Sequence, residues 1–240
     1  MDVRWEDFGW ERLAGGVGRR RLPGWDATVG LVAGESAVLL YDTGSTLREG
    51  AELRTQAESL LGGRRVTHIA LSHPHFDHVL GTAAFPGAEV YGAVGVDSLL
   101  VRDRAVLRDD AIRHGMPPED AARATEALVV PRHVVSGEWT LDLGGRQVML
   151  ANVGPGHSRH DLVLLVPGDR EVVFCGDLVE ESGDPQAGPD AIPSRWPAAL
   201  DRLLALGGED ALYVPGHGAA VDAAFVRAQR DELARRFGVS

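Results

Sequence analysis

The sequence predicts an α/β protein, of the α+β kind, in which two β-sheets are sandwiched between helical layers. Three observations predict it. Apolar runs of strand length come in two batches, one before residue 94 and one after residue 128. Helical spacing fills the stretch between them and closes the chain. The 240 residues, 44% hydrophobic and 25% charged, are enough for one such domain with a sizeable core. No linker or repeat marks a boundary, so residues 1–240 read as a single domain with a helical insertion at about 94–128.

In order along the chain, Arg12 to Arg21 and Ala27 to Val32 read as strands around the turn Leu22-Pro23-Gly24-Trp25-Asp26. Ala37 to Tyr41 (AVLLY) is a continuous apolar run, expected of a strand covered on both faces. Arg48 to Leu61 has helical spacing and ends at Gly62-Gly63. Val66 to Leu71 is a strand that delivers the chain into Ser72-His73-Pro74-His75-Phe76-Asp77-His78. Val94 to Leu128 is helical, with a break near Gly115-Met116-Pro117-Pro118. Strands are expected at Thr140–Leu143, Gln147–Val153, Leu162–Val166, Val172–Cys175 and Ala211–Val214, and helices at Pro197–Leu206 and Asp222–Phe237. Gly176 to Pro193 reads as a long loop of the functional or mobile sort.

The bulk numbers exclude several classes of function. The net charge is −11 and all 24 basic side chains are arginine, so the surface repels phosphate backbones and no nucleic-acid partner is expected. A lone cysteine, Cys175, rules out an intrachain disulfide, and it reads as a buried core thiol. No apolar run approaches the length of a membrane span and MDVRWEDFGW is not a leader, so the expected compartment is the cytoplasm, with no membrane partner.

Chemistry concentrates in one run. His73, His75, Asp77 and His78 put four candidate metal ligands within six positions, in a loop that leaves a strand. Alternate residues share a face, so His73 and His75 can meet one ion while Asp77 and His78, at the start of the next helix, face a second. Imidazole and carboxylate are the donors zinc prefers. Three more candidates each follow a strand at a glycine-bearing turn: His157 in GPGHS, Asp177 in FCGD and His217 in PGHG.

Taken in order, Asp42 in YDTG, the HPHFDH run, GPGHS, FCGD and PGHG resemble the five motifs of the metallo-β-lactamase superfamily, over about Ala37 to Gly218. The resemblance implies a four-layer αββα sandwich with a metal groove at one edge. It implies His73, His75 and His157 on one metal, Asp77, His78 and His217 on the other, and Asp177 between them. Asp42 is implied to orient metal ligands. The implied activity is hydrolysis by a metal-bound hydroxide, with Asp77 as the catalytic residue that orients it and no Ser or Cys nucleophile. Two zinc ions are the expected cofactor. His75 stands where diiron members tend to carry a carboxylate, which argues mildly against iron; iron and manganese both stay open.

The substrate is less legible. The best-known β-lactamases of the superfamily carry Cys as the fourth-motif ligand and Lys three residues later; this chain has Asp177 and Glu180. Its ligand set is more similar to the glyoxalase II, lactonase and thioesterase members, so a small-molecule ester, thioester, lactone or related bond is the expected target. An iron-dependent sulfur dioxygenase and a non-catalytic metal-containing binding protein are the alternatives. Candidates for substrate contact are Trp25, His160, Glu180, Arg195 and Trp196. Trp25 and Trp196 read equally well as packing residues, and His160 more often as a structural histidine. The sequence leaves the physiological substrate, the metal and the oligomeric state open.

Overall fold

Residue by residue, the AVLLY run alternates between two different cores. Val38 and Leu40 point into one apolar cluster while Leu39 and Tyr41 point into another, all at 2% exposure or less. The period of two that sends successive side chains to opposite faces of a strand produces this, and it explains why the run is apolar without interruption. The same alternation recurs where Val163 and Leu165 face a third cluster while Leu164 and Val166 face the second. Three cores separate four layers.

The chain is described by a computed structural model covering residues 4–239. Its strands are β1 (Glu11–Ala14), β2 (Val17–Arg21), β3 (Thr28–Ala33), β4 (Val38–Tyr41), β5 (His68–Ala70), β6 (Glu89–Ala93), β7 (His133–Val135), β8 (Glu138–Asp142), β9 (Gln147–Ala151), β10 (Val163–Val166), β11 (Val172–Glu180) and β12 (Leu212–His217). Its helices are α1 (Leu47–Leu60), α2 (Phe76–Val79), α3 (Val96–Arg102), α4 (Arg104–Arg113), α5 (Pro118–Glu126), α6 (Trp196–Gly207) and α7 (Ala223–Phe237). Among the described residues one sheet has the order β1-β2-β3-β4-β5-β6-β7 and the other β12-β11-β10-β9-β8. Leu53 of α1 and Leu107 of α4 cover the outer face of the first sheet. Leu200 and Leu203 of α6 and Val226 of α7 cover that of the second. Between the sheets, Tyr41 packs on Phe174 at 5.5 Å between ring centres, and the Tyr41 hydroxyl donates to the Leu162 carbonyl at 2.7 Å.

Local chemistry sets the ends of several elements. The Thr46 side chain accepts the Glu49 N–H to start α1, and Asp222 accepts the Phe225 N–H to start α7. The Gly115-Met116-Pro117 break separates α4 from α5, as the sequence indicates.

Several elements differ from expectation, including a further break at Asp103 between α3 and α4. Arg12 to Arg21 is a hairpin, not one strand, because the Gly15-Gly16 pair turns the chain between β1 and β2. β6 and β7, short and interrupted by Gly92 or only three residues long, have no clear alternation and were not legible. The expected loop from Gly176 begins later, because β11 continues to Glu180. Its last residues pair irregularly with β12, Gly176 opposite Pro215 and Glu180 opposite His217. Asp177 therefore sits inside a bulged strand, where the ladder is disrupted and a side chain can be re-aimed.

Candidate metal centre

Strands β4, β5 and β9 deliver their following residues, and β11 and β12 their own Asp177 and His217, to one edge of the sandwich. There the seven expected ligands come together. The inward atoms of His73, His75, His157 and Asp177 lie within 4.8 Å of one another, as do those of Asp77, His78 and His217. Asp177 touches both groups. Its Oδ2 is 3.6 Å from His73 Nε2, 3.4 Å from His157 Nε2 and 3.3 Å from His217 Nε2, and its Oδ1 is 3.3 Å from His78 Nε2. Asp77 Oδ2 lies 3.5 Å from His217 Nε2 and 3.6 Å from His78 Nε2. The backbone makes room for this. A Cβ on Gly216 would fall on Asp177 Oδ1, and Gly176 takes φ +54°, a conformation open to glycine.

Each imidazole is held from outside by its other nitrogen. His78 Nδ1–H donates to Asp42 Oδ2 at 2.8 Å, His157 Nδ1–H to the Gln186 carbonyl at 3.0 Å and His217 Nδ1–H to the Trp25 carbonyl at 2.8 Å. His75 Nε2–H donates to Asp190 Oδ2 at 3.1 Å, and His73 Nδ1 bonds to Ser72 Oγ at 2.8 Å. Such outer partners fix the tautomer and ring orientation of metal-binding histidines. The consequence is that the inward nitrogens of the neutral rings are bare lone pairs. His75 Nδ1 and His157 Nε2 face each other at 3.0 Å, a contact that repels unless a proton or a cation sits between them. His73 Nε2, His78 Nε2 and Asp177 Oδ1 are buried and accept or donate no hydrogen bond. Buried polar atoms without partners are rare and costly. A donor set of five imidazole nitrogens and two carboxylates turned inward fits divalent metal ions.

The electrostatics carry the same signature. Burial pushes the Asp177 carboxyl up, yet the imidazoles of His78, His73, His217 and His157 hold it well below the usual range. Burial lowers the His217 imidazole, and Asp177 overrides this and raises it to about 9. His157, dominated by burial, falls to about 4. Negative charge at Asp177 is thus balanced by whatever cation the cluster can gather.

Asp42 supports the cluster at a visible conformational cost. It is fully buried at the end of β4 and takes φ +62°, unusual for a non-glycine residue. Its carboxylate receives the Ser72 N–H at 2.7 Å as well as the His78 proton, so it ties the histidine-bearing loop to its strand. Two further acids escaped the sequence reading. Asp190 holds His75 across 115 positions, and no local pattern announces such a pairing. Asp161 accepts the Gly156 N–H at 2.8 Å and the Ser158 hydroxyl at 2.7 Å, fixing the turn that carries His157; burial pushes its carboxyl up to about 7. The spacing Ser158-x-x-Asp161 was the available signal.

A groove of about 700 Å³ opens over the cluster. Trp25, Glu180, Asp190 and the α4 residues Val106 and Leu107 are among its walls. Trp25 packs edge-on against Phe76 at 5.3 Å and donates to the His114 carbonyl at 3.1 Å, so the β2–β3 turn forms one wall with α4 behind it. The other expected contacts are placed elsewhere. Trp196 is fully buried, donates to the Leu178 carbonyl and packs against His157 from behind. Arg195 is exposed at the start of α6 and does not line the groove. His160 turns away to the Val94 carbonyl at 2.9 Å, beside Gly95.

Comparison with known proteins agrees with this geometry. The family model described as the metallo-β-lactamase superfamily matches residues 22–217. Metallo-beta-lactamase domain-containing protein 1 of Xenopus laevis is 28% identical over 197 residues, covering 80% of this chain and 71% of that protein. A probable metallo-hydrolase of Mycobacterium tuberculosis is 34% identical over 126 residues, 49% of this chain and 38% of that protein. Among solved structures, a metallo-beta-lactamase from Pontibacter korlensis superposes with a TM-score of 0.73 at 20% identity, covering 93% of this chain and 97% of the other. The metallo-beta-lactamase FIM-1 of Pseudomonas aeruginosa, in a mono-zinc form, gives 0.70 at 19% identity and 96% of each chain.

Proposed function

The chain belongs to the metallo-β-lactamase superfamily, and from that premise we propose that it is a metal-dependent hydrolase of a small-molecule ester, thioester, lactone or related bond. One observation carries the reading. Five imidazoles are each held by an outer partner so that the other nitrogen turns inward, toward the carboxylates of Asp77 and Asp177, with no hydrogen bond to occupy three of those buried atoms.

In this reading His73, His75 and His157 would hold one ion and Asp77, His78 and His217 a second, with Asp177 available to either. Two divalent cations so held, zinc before iron or manganese, would supply Lewis acidity to the scissile carbonyl and an acidified water as nucleophile. The protein's own residues do the rest. Asp77, in the first turn of α2 and lining the groove, accepts a hydrogen bond from the attacking water and takes up its proton at a carboxylate oxygen. Asp42, Ser72 and Asp190 keep the imidazoles aimed. Trp25, Phe76 and the α4 wall shield one side of the substrate from water.

A chromogenic panel of esters, thioesters, lactones, β-lactams and phosphodiesters, run on protein of defined metal content, tests the proposal. Turnover of a member of the first three groups is expected, and His75→Ala or Asp77→Ala should lower it by about 10³-fold or more with the circular dichroism spectrum kept. No turnover of any substrate by metal-replete protein would favour the binding-protein alternative. Oxygen uptake with a persulfide, by iron-loaded protein only, would favour the dioxygenase.

A further inference from the structure

Away from the metal cluster, the charges along the groove are mostly spoken for. Arg113 is held by Asp110 at 2.6 Å, Asp103 by Arg102 at 2.7 Å, and Asp190 by His75. Glu180 is different. It ends β11 opposite His217, it lines the groove, and it is only 8% exposed. Its backbone N–H is fixed by Gln229 Oε1 at 3.0 Å. Its Oε1 accepts both the Ser182 N–H at 3.0 Å and the Ser182 hydroxyl at 2.6 Å. Among the described residues no arginine pairs with this carboxylate, and Oε2 has no hydrogen-bond partner.

A carboxylate so buried is costly unless an opposite charge or further donors compensate it. Burial pushes the Glu180 carboxyl up, and the two donations from Ser182 to one oxygen oppose this by favouring the ionised form. Oε2 is left without a hydrogen bond on a residue that lines the groove. Asp184, which also lines this wall with no ion-pair partner among the described residues, adds charge of the same sign. The wall formed by Glu180 and Asp184 therefore offers a cation a place to dock.

We propose that Glu180 is a specificity-determining residue that makes the groove select substrates carrying a cationic group close to the bond that is cleaved. The turnover arm of the test rests on the hydrolase reading above; the binding arm does not.

The probes are an isosteric pair: a choline thioester, and the 3,3-dimethylbutyl thioester of the same acid. They share size and shape and differ by one positive charge. For metal-replete wild type, kcat/KM should favour the choline thioester by about fivefold or more. The ratio should fall to near one in Glu180→Gln and below one in Glu180→Lys, and about 0.5 M salt should erode the wild-type preference. The salt series uses wild-type protein alone, so it decides the matter if a variant does not fold. The corresponding amides, which resist cleavage, are titrated by calorimetry into the same proteins. A Glu180-dependent preference for the cationic amide, with neither thioester nor any member of the panel above cleaved, would sink the hydrolase reading and leave this proposal standing. A wild-type preference for neither member, or a preference that survives in Glu180→Gln, would overturn it.

Discussion

Asp190 makes the residue-scale case most simply. It is not a member of the inward-facing cluster, yet it accepts the His75 Nε2 proton at 3.1 Å from a loop that also walls the groove. Removing it frees the imidazole to flip or to protonate at the inward nitrogen. Asp190→Ala should therefore weaken uptake of one metal ion by about 10- to 100-fold, while Asp190→Asn, which keeps an acceptor oxygen, should lose much less. Competition titration against a chelating dye measures both, and equal losses in the two variants would remove the orienting role. The contrast with His160 is instructive. It lies three positions after His157 and looked equally available, but its ring is committed to the Val94 carbonyl. Residue type and spacing identify candidates; the direction of the second nitrogen decides among them.

At the scale of elements, the seven inward-facing residues were legible because each lies at or near a strand end or glycine-bearing turn, and such places are where this kind of fold gathers its groups. What was not legible depended on pairing between distant segments. β11 runs on through Glu180 because β12 offers it a partner, and nothing local in GDLVE distinguishes that from a loop. The Gly15-Gly16 turn hid inside a polar run for the same reason: β1 and β2 read as one segment until they pair with each other. Trp25 became a wall of the groove because Phe76 and the His114 carbonyl receive it. Helix ends are more local and more predictable. Thr46 accepts the Glu49 N–H at 3.0 Å, and Thr46→Ala should cost about 1 kcal/mol, read as a lower urea midpoint at unchanged slope. No change in midpoint would mean the cap adds nothing to α1.

Across the whole molecule, the two sheets and their three apolar cores form the frame, and the candidate metal centre lies at one edge of it where segments from both sheets meet. His73, His75 and His78 follow the first sheet's β5, while His157, Asp177 and His217 come from the second. The centre therefore joins the two halves of the sandwich, and Asp177, touching imidazoles from both, is the point where they are joined. Without a cation, that junction holds an ionised carboxylate balanced only by protonated imidazoles and bare, opposed lone pairs. Elemental analysis of the purified chain, dialysed against a limited excess of zinc, tests this most directly. The account predicts about two ions per chain, reduced to about one in His75→Ala and in His217→Ala. A wild-type chain that retains no divalent ion would contradict it.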